Sequence, residues 1–131
     1  MLLIEIDFSS DEAIYQQLCN QIIMGIATSQ ILEGEVLPSV RQLSDEIGIN
    51  MHTVNKAYTL LKQEGYVKVD RRKGAFVSLR EDKRLALELV EKDLRGVLAE
   101  AKCRNVSRNE IHEMVDRIYS EYEYTHGINM S

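Results

Sequence analysis

Three consecutive cations, Arg71, Arg72 and Lys73, precede Gly74 near the middle of the chain. Upstream lie five hydrogen-bonding side chains, Asn50, His52, Thr53, Asn55 and Lys56, and before them Ser39 and Arg41. Guanidinium and ammonium groups at this density meet phosphates, and amides at helical spacing reach base edges. The residues offer no covalent chemistry. There is no Gly-rich phosphate loop, metal-ligand cluster or nucleophile motif, so neither enzymatic activity nor a cofactor is expected. Cys19 and Cys103 lie outside any CxxC or His/Cys cluster, so no zinc site or disulfide scaffold is expected. His112 and His126 show no ligand spacing.

The formal net charge of −5 over 131 residues argues, taken alone, against a polyanionic partner. The distribution argues otherwise. Residues 1–36 carry six acids and no Lys or Arg, residues 37–77 are net +3, and residues 78–131 are net −2. A basic middle between acidic flanks fits one face built for a polyanion. Chance clustering on a solvated surface is the competing explanation. No apolar run approaches the ~18 residues of a membrane span, and the N-terminus lacks a signal-peptide pattern. A cytoplasmic protein without a membrane partner is expected.

The elements that must hold these side chains follow from periodicity. Residues 3–8 alternate weakly and predict a short strand. Ser9 and Glu12 have capping-box spacing ahead of a helix whose stripe is Ile14, Leu18, Ile22 and Ile26. Residues 30–37 read as a connection. Pro38 and Ser39 open a second helix, with Ser39 and Gln42 again at capping-box spacing; Val40, Leu43 and Ile47 form its apolar face, and Gly48 ends it. Asn50 is the expected N-cap of a third helix, Met51 to about Glu64, closed by Gly65. The period then changes to alternation, in residues 66–69 and 75–79, which predicts a β-hairpin with the three cations at its tip. A long helix follows from Glu81 to about Cys103, with a heptad-like seam of Leu87, Val90, Leu94, Val97 and Ala101. Ser107 and Glu110, a third capping-box pair, start a last helix with Ile111, Met114, Val115, Ile118 and Tyr122 on one face.

The expected fold is mainly α with a small β-hairpin. Residues 1–79 form a winged helix-turn-helix, in which the second helix of the motif lies in the major groove. Residues 80–131 form a two-helix dimerisation region. Leu87, Val90, Leu94, Val97, Ala101, Ile111, Met114 and Ile118 are its expected interface, because two amphipathic helices carry more apolar surface than one small subunit hides. Tyr119, Tyr122 and Tyr124 fit either interface or core.

Five blocks carry a family resemblance: Ile14-Tyr15-Gln16-Gln17-Leu18, Leu37-Pro38-Ser39-Val40-Arg41-Gln42-Leu43, Thr53-Val54-Asn55-Lys56-Ala57-Tyr58, Glu64-Gly65-Tyr66 and Lys73-Gly74-Ala75-Phe76-Val77. In order and spacing they resemble the DNA-binding domain of GntR-family transcription regulators, most closely the YtrA-like subfamily, whose C-terminal region is two short helices. The resemblance implies that Arg41 contacts phosphate, that His52, Thr53 and Asn55 face the major groove, and that Arg71, Arg72 and Lys73 reach the minor groove. It also departs from the family. Met51 and Asn55 stand where many members have arginine, and Arg72 where glycine is common, which leaves the operator sequence open. Asn55 has the groups to read adenine; for His52, base contact and a plain surface role both remain open.

The expected function is a sequence-specific DNA-binding regulator, a repressor, that holds an inverted-repeat duplex operator as a homodimer. The competing reading is a winged-helix protein–protein adaptor. An unidentified effector would sit at the dimer interface or between the domains, or no small ligand exists.

Overall fold

Helix α1 spans Ile14–Ala27 and turns Leu18, Cys19 and Ile22 fully inward. It starts later than the Ser9–Glu12 spacing predicts, at Ala13, with no side-chain cap. The reason is local competition. The Ser9 N–H and hydroxyl both donate to Asp7 Oδ1 (3.0 and 2.7 Å), and Ser10 Oγ accepts from the Glu12 N–H. These residues form turns instead of a capping box.

The computed structural model describes residues 3–79 and 82–127. The expected N-terminal strand is not there: residues 3–7 carry no strand. They are extended, but their backbone pairs with side chains of α1. The Glu5 N–H donates to Gln21 Oε1 at 3.0 Å and the Asp7 N–H to Gln17 Oε1 at 2.9 Å. Gln17 Nε2 donates back to the carbonyls of Asp7 and Glu12, both at 3.0 Å. Two glutamines thus satisfy backbone that a second strand would otherwise have to pair, and Ile4 is buried beneath them.

Helix α2 is Val40–Ile47 and α3 is Met51–Gln63. The capping box at α2 is complete: the Gln42 N–H donates to Ser39 Oγ (3.1 Å) and the Ser39 N–H to Gln42 Oε1 (3.0 Å). Gly48 closes α2 at φ +69°, in the left-handed region that favours glycine. Asn50 caps α3, its Oδ1 accepting from the His52 N–H at 2.7 Å. Strands β1 (Val67–Asp70) and β2 (Gly74–Val77) are antiparallel, with Val67 opposite Val77 and Asp70 opposite Gly74.

The connection before α2 does more than connect. Val36 bridges Phe76, the Leu37 N–H donates to the Ala75 carbonyl at 2.8 Å, and the Val77 N–H donates to the Glu35 carbonyl at 2.9 Å. Residues 35–37 therefore lie along the free edge of β2 as a third strand-like layer. The Tyr58 hydroxyl donates to the Pro38 carbonyl (2.7 Å) and ties the same segment to α3. Leu18, Ile22, Ile31, Leu43, Val54, Leu61, Val67 and Val77 close the core between the helices and the hairpin.

Cys19 belongs to this core. Its thiol donates to the Ala57 carbonyl at 3.4 Å, and burial, with the Glu64 carboxylate adding to it, pushes the thiol up to about 11. The fold favours the protonated form. That contribution is complete below the ordinary value near 9 and is lost as pH rises through 11. Alkylation at pH 8 with mass-spectrometric mapping is expected to leave Cys19 unmodified in the native protein and to label it after denaturation, while Cys103 is exposed.

The chain divides into two compact units, Met1–Arg80 and Glu81–Ser131. The second contains α4 (Lys83–Cys103) and α5 (Arg108–Gly127). The third capping box is present: the Glu110 N–H donates to Ser107 Oγ (3.1 Å) and the Ser107 N–H to Glu110 Oε1 (2.8 Å), which holds the Glu110 carboxyl below its usual range. Around the junction Leu98, Ala101, Val106 and Ile111 line an open cup of about 410 Å³. No residue of α4 is buried. Leu87, Val90, Leu94 and Val97, with Met114 and Ile118 of α5, are exposed, whereas Ala101 and Ile111 are half-buried at the junction. The side chains of Tyr124 and His126 lie outside the described residues; Tyr119 and Tyr122 stack edge-on, centroids 6.4 Å apart.

Candidate nucleic-acid interface

Helix α3 sorts its residues by face. Val54, Ala57, Tyr58 and Leu61 are buried, and Met51, His52, Asn55, Lys56, Thr59 and Lys62 are exposed. The inward set anchors the helix through contacts with α1, α2 and β1, so the polar set is held out to solvent on a rigid element. Thr53 is half-buried and turns away from Asn55. Asn50 has committed its oxygen to the cap, which leaves its NH₂ group as the free donor.

Lys56 is not a free cation. Its Nζ lies over the Tyr15 ring, 4.0 Å from the centroid, so it is drawn toward α1.

The hairpin tip is built by Asp70. Its Oδ1 accepts from the N–H groups of Arg72 (2.7 Å) and Lys73 (3.3 Å), which hold the carboxyl below its ordinary range. The bonds curl the backbone so that Arg71, Arg72 and Lys73 all stand exposed. Gly74 follows at φ +85°, where an L side chain would be strained. Lys73 Nζ rests over the Phe76 ring at 5.1 Å.

Between α3, the hairpin and the start of α2 runs a cleft of about 540 Å³. Ser39, Asn55, Lys73 and Gly74, four of the residues singled out in the sequence, line it together. Arg41 is exposed on the first turn of α2, outside that lining. Thr59 and Lys62 also line the cleft and were missed by sequence reasoning. The signal for them was their spacing: they stand one and two turns beyond Asn55 on the same stripe. Among the described residues no group of His, Cys, Asp or Glu could hold a metal ion.

With this geometry in view, the model for bacterial regulatory proteins of the gntR family matches residues 12–77, half of the chain, from α1 through β2. The chain belongs to the gntR family. This gntR-family chain is 29% identical over 122 residues to the HTH-type transcriptional repressor YtrA of Bacillus subtilis, covering 91% of this chain and 94% of the repressor. Among solved structures it is similar to a transcriptional antiterminator from Listeria monocytogenes, with a TM-score of 0.79, 27% identity and coverage of 96% and 94% of the two chains. It also resembles YtrA of Sulfolobus acidocaldarius, a GntR-family transcription factor, with a TM-score of 0.57 and 36% identity; that match covers 70% of this chain and 97% of the other. The likeness to the first two extends past the winged unit into α4 and α5. No helix among the described residues is long and apolar enough to cross a membrane.

Proposed function

We propose that this gntR-family chain is a cytoplasmic transcription repressor that grips an inverted-repeat DNA operator as a homodimer. The observation that carries the reading is the polar face of α3, fixed by its buried opposite face and set beside a cationic hairpin tip. In this reading α3 enters the major groove, where His52 and Asn55 face base edges and Asn50 and Thr53 lie at the helix start. Ser39 and Arg41 meet phosphate, and Arg71, Arg72, Lys73 and Gly74 follow the minor groove. Lys56 adds an exposed cation at the edge of this face, its ammonium over the Tyr15 ring. The two copies join through the exposed apolar face of α4 and α5, whose exposure is far greater than a small isolated unit usually leaves uncovered.

Selection from a random duplex pool is expected to enrich one inverted repeat. On that duplex, Asn55→Ala is expected to relax preference at a single base pair per half-site, by about 1–3 kcal/mol in a fluorescence-anisotropy panel of single-base variants. Enrichment of no sequence, with no duplex binding at low salt, favours the protein–protein adaptor instead.

A further inference from the structure

In a B-form duplex, a major groove and the minor groove beside it are separated by a single sugar–phosphate strand. A helix in the first and a hairpin tip in the second must straddle that strand. In this protein a cleft lined by α3, the hairpin and the residues leading into α2 lies between the two elements. Resting on the function proposed above, we infer that this cleft seats one stretch of DNA backbone, and that Lys62 and Thr59 are phosphate-contacting residues within it.

The lining matches such a strand in chemistry. Lys62 lines the cleft from α3 and supplies its ammonium group, while Lys73 lines it from the hairpin with its own ammonium resting over the Phe76 ring. Thr59 adds a hydroxyl donor. Val36 and Val69, 48% and 59% exposed, are otherwise unexplained on this surface. Their methyl groups suit the apolar faces of deoxyribose. Among the described residues no ring or carboxylate holds the Lys62 ammonium, whereas the Lys56 ammonium lies over the Tyr15 ring. Thr59 and Lys62 thus give the C-terminal half of α3 a sequence-independent grip beside the base readout of its N-terminal half.

The test uses the duplex enriched by selection and compares log Kd against log [NaCl] for the parent, Lys62→Gln, Lys62→Arg and Lys68→Gln. Lys68 lies on β1 between Val67 and Val69, so its side chain leaves the opposite face of the hairpin from Val69. Loss of one phosphate contact lowers the salt slope by about 0.9, which at 0.15 M salt is about fivefold in Kd. Lys62→Gln is expected to show both changes, by the same factor on every single-base variant of the duplex. Lys62→Arg is expected to keep the parental slope, and so is Lys68→Gln. An unchanged slope for Lys62→Gln overturns the inference, as does an equal fall for Lys68→Gln. Failure of the parent itself to bind any duplex counts against the function proposed above.

Discussion

Replacing Arg71, Arg72 and Lys73 together by glutamine is expected to weaken operator binding about a hundredfold at 0.15 M salt. Each cation that neutralises a phosphate releases a counterion and contributes about 0.9 to the salt slope. Three such contacts give a slope change of about 2.7, equivalent to roughly two orders of magnitude at that ionic strength. The side chains are exposed and make no contribution to the core, and the turn is shaped by the Asp70 carboxylate bonding to backbone N–H groups that remain in the variant. The melting temperature should therefore hold while affinity falls. Anisotropy titrations at several salt concentrations, with a thermal melt alongside, measure both. A parental salt slope in the triple variant would remove the tip from the interface.

The second large effect is expected from Val90→Asp combined with Leu94→Asp. These positions face the same way on α4 at a four-residue spacing and are 62% and 42% exposed in the single chain. In a dimer built on this face each new carboxylate would be desolvated without a partner, a cost of several kcal/mol apiece. In the single chain both stay in water, so the winged unit should fold as before. Sedimentation is expected to show a dimer for the parent and a monomer for the variant. Operator affinity should fall by about 10²–10⁴, because the second half-site then loses the effective concentration that linkage supplies. A variant that still sediments as a dimer would place the interface elsewhere.

Most of the helical framework was legible in the sequence because its signals are local. Ser39 with Gln42 and Ser107 with Glu110 form the boxes their spacing predicts, and Gly48 takes the positive φ expected of a helix-ending glycine. Ser9 with Glu12 has identical spacing and fails, since Asp7, two residues upstream, captures Ser9 first. The missed features all depend on partners distant in sequence. Gln17 and Gln21 look like ordinary solvated helix positions until the N-terminal segment folds back on them. The pairing of residues 35–37 with β2 has no alternation to announce it, because the stretch is too short. At the candidate interface, the residue types can be read from the sequence but not the directions in which the side chains point. The sequence singles out Lys56 and not Lys62, yet Lys62 lines the cleft while the Lys56 ammonium lies over the Tyr15 ring.

Under the function proposed above, the bridge between Val36 and Phe76 fixes how this unit would read a duplex. It fastens the hairpin to the residues that lead straight into α2, while Tyr58 fastens those residues to α3. The hairpin is thus no loose arm that finds its groove independently; helix and tip advance as one jaw. An operator must offer its two binding features at one invariant offset, and a half-site lengthened by a single base pair between them would fit one side or the other, but not both.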